Sequence, residues 1–264
     1  MAGNFTALNA EGYERLMGRF SRRLANAFIG FTGSTPGEKI LDVGCGTGSM
    51  TSALAERGDH AAIVGIDVSE PYVDFARARN TDPRITFDVG DASQLPYATG
   101  QFDRAVCQLV LMFLPDPYPA VAEMRRVVRP GGTVAACTWD AFGGQPHMRM
   151  LWDTASALGF DRTRSLFRPL GTGGEMDAMW RRVGMIDVEE GTITTRFEFA
   201  NFDDYWTPFL SGDGPSGQMV MGLAADQRAK LEQQLRHVFL SGRPDGPRSF
   251  IGAAWICKGV VPAS

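Results

Sequence analysis

The stretch Lys39-Ile40-Leu41-Asp42-Val43-Gly44-Cys45-Gly46-Thr47-Gly48-Ser49-Met50 decides the reading of this chain. An apolar run passes straight into glycines at every second position, Gly44, Gly46 and Gly48, and a helical pattern follows at once. Strand, glycine loop and helix in that order mark a nucleotide-cofactor loop. A dinucleotide fingerprint reads G-x-G-x-x-G. Here the third glycine falls one position early, and Ser49 stands where that fingerprint needs it. The spacing therefore argues against a nucleotide-dependent dehydrogenase.

Working outward, strand and helix patterns alternate. Strands are expected at residues 39–43, 62–67, 85–89, 103–109 and 133–138, with helices at 50–57, 70–79 and 118–128 between them. This pitch implies βαβ units, a mostly parallel sheet and right-handed crossovers that gather the post-strand loops at one edge. Ligands of open α/β sheets bind in the crevice at that edge. Before the sheet, residues 11–31 form an amphipathic helix, with Tyr13, Leu16, Met17, Phe20, Leu24 and Phe28 at helical spacing. After Trp139 the rhythm loosens. A helix at 175–183 and strands at 186–199 and 250–258 are expected. Residues 201–248, carrying Tyr205, Trp206, Phe209 and a Gly/Pro-rich turn, read as an insertion folded over the sheet edge.

Totals narrow the function class. The 264 residues suit one large α/β domain with an insertion, or two small domains. A net charge of −4 and a sequence pI of about 5.5 argue against a nucleic-acid partner, which wants a basic face. No apolar run approaches the roughly 18 residues of a membrane span, and the first residues lack a signal-peptide pattern. Cys45, Cys107, Cys137 and Cys257 are scattered without a C-x-x-C pair, so reduced, mostly buried thiols and a cytoplasmic location are expected, with no metal site.

Further residues fall at the strand ends that a nucleoside would touch. Asp67, closing the second strand with Val68 after it, can accept hydrogen bonds from both ribose hydroxyls; each charged bond contributes roughly 1.5–3 kcal/mol. Asp91 can accept from an adenine amino group, and the backbone N–H of Ala92 can donate to a ring nitrogen. The fourth strand delivers Gln108 beside the reacting end. Val128-Arg129-Pro130-Gly131-Gly132 is a sharp turn feeding the fifth strand.

On residues 40–48, 64–67, 90–96, 102–103 and 129–132, the chain resembles the class I S-adenosyl-L-methionine (SAM)-dependent methyltransferases. Within them it resembles the small-molecule group related to ubiquinone- and menaquinone-biosynthesis methyltransferases. The resemblance implies a Rossmann-like α/β fold with a seven-stranded, mostly parallel sheet whose last strand is antiparallel. It also implies that Gly44, Gly46 and Gly48 lie against the methionine part of SAM. The opening helix would fold over the cofactor, making Tyr13 and Arg19 candidate contacts. The expected division is a helical lid at 1–35, a SAM-binding core at 36–200 and 249–264, and a helical insertion at 201–248 forming part of a substrate pocket. The product would be S-adenosyl-L-homocysteine.

Transfer from SAM is an in-line displacement, so catalysis rests chiefly on placing a nucleophile 3–3.5 Å from the methyl carbon. Phenols and thiols need little help; an alcohol needs a base. Many relatives carry a histidine pair after the fourth strand, whereas this chain has Leu111-Met112-Phe113-Leu114. His147 is the candidate base, with Asp140 second. Met112, Phe113, Tyr205 and Trp206 are candidate walls for an apolar or aromatic acceptor. The expected partner is a small-molecule methyl acceptor, and the expected state a monomer or homodimer. A non-catalytic SAM-binding regulator is the alternative; an RNA or protein methyltransferase fits the acidic balance and the enclosing insertion less well.

Overall fold

The computed structural model describes residues 10–160 and 169–263. The first nine residues of the expected 1–35 segment lie outside that range.

The N-terminal helix is continuous but not uniform. It runs as α1 (Ala10–Tyr13), a π-helical turn (Glu14–Gly18) and α2 (Arg19–Thr32). Periodicity found the helix; the widened turn has no signature in a 3.6-residue pattern. The βα alternation then follows as expected: β1 (Lys39–Val43), α3 (Ser49–Arg57), β2 (Ala62–Asp67), α4 (Glu70–Arg79), β3 (Ile85–Val89), β4 (Phe102–Gln108), α5 (Tyr118–Val127) and β5 (Val128–Trp139). The remaining elements are α6 (Pro146–Ala157), α7 (Glu175–Arg182), β6 (Ile186–Phe199), α8 (Phe202–Trp206), α9 (Gly214–Gly222), α10 (Ala225–Leu240) and β7 (Arg248–Val260).

The seven strands form one sheet in the order β3-β2-β1-β4-β5-β7-β6. Pairings among β1 to β5 are parallel, and β7 runs antiparallel between β5 and β6. The order reverses at β1 and β4, the switch point where open α/β sheets leave a crevice. Strand side chains alternate between two cores. Ile40, Ile63, Val106 and Ala135 meet Phe28, Leu54 and Leu151 on one face. Leu41, Ile66, Cys107 and Val134 meet Val121, Met124 and Trp180 on the other. All four cysteines are buried and unpaired.

Two local readings need correction. Pro130-Gly131-Gly132 does not precede β5; it lies inside it as a bulge. Phe102 faces Val128, yet Arg104 already faces Thr133, and Gly131 takes a φ of 76° to absorb the extra chain. Residues 146–157, to which the sequence reading assigned no element, form α6. Its signals are Pro146 at the first helical position and buried residues at His147, Leu151 and Ala155, one turn apart. The glycines before it obscured both.

Below the sheet, one side chain joins three elements. Arg104 of β4 donates from Nε and Nη2 to the two Glu38 carboxylate oxygens at 2.9 and 3.0 Å, and from Nη1 to the Thr32 carbonyl at 3.0 Å. It therefore ties the end of α2 to the foot of β1. Among the described residues, no helix is long and apolar enough to cross a membrane.

Candidate functional site

The loops after β1, β2, β3 and β4 surround a cavity of about 310 Å³ at the switch point. The chain enters it through glycines. Gly44 has φ 74°, and a Cβ there would run into the Val110 methyls. Gly46 has φ 53°, but a Cβ at this position would meet no protein atom within 4 Å. The first glycine thus yields space to β4, and the second opens it to the cavity. Gly48, also at positive φ, does not line the cavity; it precedes the first turn of α3.

Asp67 holds this loop from the neighbouring strand. Its Oδ2 accepts from the Gly46 N–H at 2.9 Å and its Oδ1 from the Ser69 N–H at 2.8 Å. Burial nevertheless raises its pKa, the backbone donors opposing the shift. Beneath the loop, Asp42 is fully buried and accepts from the Thr51 hydroxyl at 2.6 Å, fixing α3 against β1; burial pushes its carboxyl up to about 7.

Val68, Asp91, Ala92 and Gln108 all line the same cavity. Asp91 Oδ1 accepts from the Ser93 N–H at 2.8 Å. Gln108 donates from Nε2 to the Ser21 carbonyl at 3.0 Å, joining β4 to the N-terminal helix. Tyr13 closes the cavity, its ring centroid 5.2 Å from that of Tyr72. Burial pushes the Tyr13 phenol up to about 12. The π-helical turn is latched here: Glu14 accepts from the Thr47 hydroxyl at 2.5 Å and pairs with Arg22 at 2.9 Å and Arg79 at 3.2 Å.

Three buried polar atoms facing this cavity, Gln108 Oε1, Ser49 Oγ and Ser69 Oγ, have no protein hydrogen-bond partner. Buried polar groups are normally satisfied. Orphans beside a glycine open to the space fit a ligand with polar groups along its length, and an amino acid joined to a nucleoside is such a ligand.

A second cavity of about 110 Å³ adjoins the first, and Met17, Phe113 and Trp139 wall both. Met112 lines it together with Leu16, Met148, Trp152 and Asp213. Trp139, Trp152 and Asp213 were not anticipated. The signal for Trp139 was available: it ends β5 at the ligand-binding edge. Asp140 also lines this space, but its two carboxylate oxygens accept from the Phe142 and Gly143 N–H groups, each at 3.2 Å, in the turn role.

Besides Gly48, four candidates sit elsewhere. His147 lines neither cavity. It is 2% exposed, its ring centroid lies 3.9 Å from that of Phe197, and burial, helped by Arg19, pushes its pKa down to about 3. An imidazole held neutral among aromatics does not meet an acceptor. Arg19 lines neither cavity; its Nη1 pairs with Asp204 at 2.9 Å, clamping α2 to α8. Tyr205 and Trp206 face an aromatic core with Phe199, Phe202 and Phe239, not the cavities. The Tyr205 hydroxyl donates to the His147 carbonyl at 2.9 Å. Their side chains turn inward because large aromatics bury most area there.

His147 has a measurable consequence. It stays neutral in the fold while the unfolded chain takes up a proton below about pH 6.5, so stability falls as pH drops from there toward about 3. Between pH 7 and pH 5 the wild-type chain should lose roughly 2 kcal/mol more than His147→Phe in urea unfolding. Parallel losses in the two proteins would contradict this.

Residues 41–136 match the family model described as a methyltransferase domain. Methyltransferase GfsG of Streptomyces halstedii is 41% identical over 103 residues, covering 38% of this chain and 37% of the relative. The 27-O-demethylrifamycin SV methyltransferase of Amycolatopsis mediterranei is 33% identical over 117 residues, 43% of each chain. The matched part thus spans about two fifths of those relatives' length. In fold, the YcgJ protein of Bacillus subtilis superposes with a TM-score of 0.58 over 91% of this chain and 98% of its own, at 18% identity. With its glycine loop, acidic β2 end and this strand order, the chain is similar over residues 41–136 to the class I SAM-dependent methyltransferases, whose cofactor is S-adenosyl-L-methionine.

Proposed function

We propose that the protein transfers a methyl group from SAM to a small, largely apolar or aromatic molecule. The observation that carries this reading is the pair of cavities sharing Met17, Phe113 and Trp139 as walls. The larger holds the cofactor-loop residues; the smaller is lined mostly by apolar and aromatic side chains. Small-molecule sites have this composition, an apolar lining with a few placed polar groups.

SAM supplies an already activated methyl on a sulfonium. The chain's own residues supply position. Gly44 and Gly46 admit the methionine part beside Gln108, whose orphaned Oε1 suits an ammonium donor. Asp67 takes the ribose hydroxyls with the lone pairs its backbone donors leave. Asp91 and Ala92 take the adenine edge. Tyr13 and Met17, on the latched N-terminal helix, act as a lid that excludes water. Phe113 and Trp139 then hold the acceptor against the shared wall, converting a bimolecular encounter into an oriented one.

Calorimetry with SAM, and turnover of a panel of phenols, hydroquinones and amines followed by S-adenosyl-L-homocysteine release, test the reading. Micromolar or tighter binding with turnover of at least one member is expected. Absence of binding for both SAM and S-adenosyl-L-homocysteine would reject it.

A further inference from the structure

One turn of the N-terminal helix supplies walls to both cavities. Tyr13 and Met17 line the larger, Leu16 and Met17 the smaller. These residues lie in or beside the π-helical turn Glu14–Gly18, where the Arg19 N–H reaches back five residues to the Glu14 carbonyl. Such widened turns are rare and recur at functional sites.

Glu14, in the same turn, lines neither cavity and reaches the cofactor loop instead. Its carboxylate accepts from the Thr47 hydroxyl at 2.5 Å and pairs with Arg22 at 2.9 Å and Arg79 at 3.2 Å. Thr47 stands between Gly46 and Gly48 and itself lines the larger cavity. The Glu14 side chain is only 12% exposed, so water screens these contacts less than it screens a surface pair. Gly18 makes the room. A Cβ there would overlap the Glu14 carboxylate, yet Gly18 has an ordinary helical φ of −56°. The backbone does not need this glycine; the carboxylate does.

We propose that Glu14 is a positioning residue that couples the two sites, so that the acceptor cavity is completed only after SAM has bound. This rests on the methyltransferase reading above. SAM against the glycine loop fixes Thr47, Thr47 fixes Glu14, and the turn that carries Glu14 sets Leu16 and Met17 against the acceptor. Cofactor therefore binds first and acceptor second. Coupling of this kind is reciprocal, so a bound acceptor also holds the cofactor more tightly. The order has a use: the acceptor site forms where an activated methyl is already in place.

The test measures para-cresol binding by calorimetry, with and without saturating S-adenosyl-L-homocysteine. The wild-type chain should bind cresol about 10-fold more tightly with it, within the usual range of coupling between sites. Gly18→Ala should bring the two affinities within about 2-fold of each other, because the added methyl pushes Glu14 off Thr47 while every charge stays in the chain. Alanine also favours a helix over glycine, so the thermal midpoint should not fall, and a purely structural role for this turn would leave the coupling intact. Glu14→Gln keeps an acceptor for Thr47 but loses both ion pairs, so its coupling should be intermediate. Arg23→Ala removes the pair with Glu198 from the same helix, outside this contact set, and should leave the coupling unchanged. Equal cresol affinities in the wild-type chain, no cresol binding in either state, or full coupling in both Gly18→Ala and Glu14→Gln would overturn the proposal while the methyltransferase reading stands. Absence of SAM and S-adenosyl-L-homocysteine binding by the wild-type chain would instead sink the underlying reading.

Discussion

Asp67→Ala should weaken SAM binding by about 1.5–3 kcal/mol, roughly 10- to 150-fold in Kd, as measured by calorimetry. Two effects reach the ligand through this one side chain. The proposed ribose contact is lost directly. The N–H groups of Gly46 and Ser69 also lose their acceptor, so the loops after β1 and β2 are no longer held to each other. Asp67→Asn separates the two. Its amide keeps an acceptor oxygen for one backbone donor but loses the charge, so it should fall between wild type and alanine. Unchanged affinity in the alanine variant would reject the ribose role. The folded state should weaken modestly as well, because the Gly46 and Ser69 N–H groups lose their acceptor.

Arg104→Ala should destabilise the protein by about 3–5 kcal/mol, the cost of breaking a buried ion pair from one side. The Arg104 and Glu38 side chains are 7% and 13% exposed, so Glu38 would be left almost dry without its counter-ion. The Thr32 carbonyl would lose its donor as well. Urea unfolding checks this through a lowered midpoint at constant slope. Combining Arg104→Met with Glu38→Leu should recover most of the loss, because paired apolar replacements remove both desolvated charges. A loss below about 1 kcal/mol for Arg104→Ala would mean that water reaches Glu38 and that the pair behaves as a surface one.

The sheet and the cofactor loops were legible because their signals are local. Alternation of period two and 3.6, a glycine loop and an acidic strand end are each written within a few residues, and β1 to β4 follow them nearly residue for residue. The acceptor side was less legible. Its walls come from the π-helical turn of the N-terminal helix, the turn after β4, the end of β5, α6 and α9, and only the fold brings Leu16, Trp139, Trp152 and Asp213 together. His147 and Tyr205 show the same limit from the other side. Both occupy segments that do pack over the sheet, but the rotation of a single helix decides whether a side chain meets the cavity or the core. For His147 the core won, through Phe197 and Phe199.

The antiparallel β7 has a consequence for how such a protein changes over time. Because β6 and β7 pair along their whole length, with Phe199 opposite Arg248, the chain leaves and re-enters the sheet at neighbouring points. Everything between those two residues hangs from a closed clasp. Its length and composition can drift without disturbing strand register, while α9 within it still contributes to the acceptor wall. The stretch that matches the family model ends at residue 136, before this clasp begins. The fold thus hangs residues 200–247 from two neighbouring strand ends, so a change of length there is absorbed outside the sheet and outside the stretch that the family model matches.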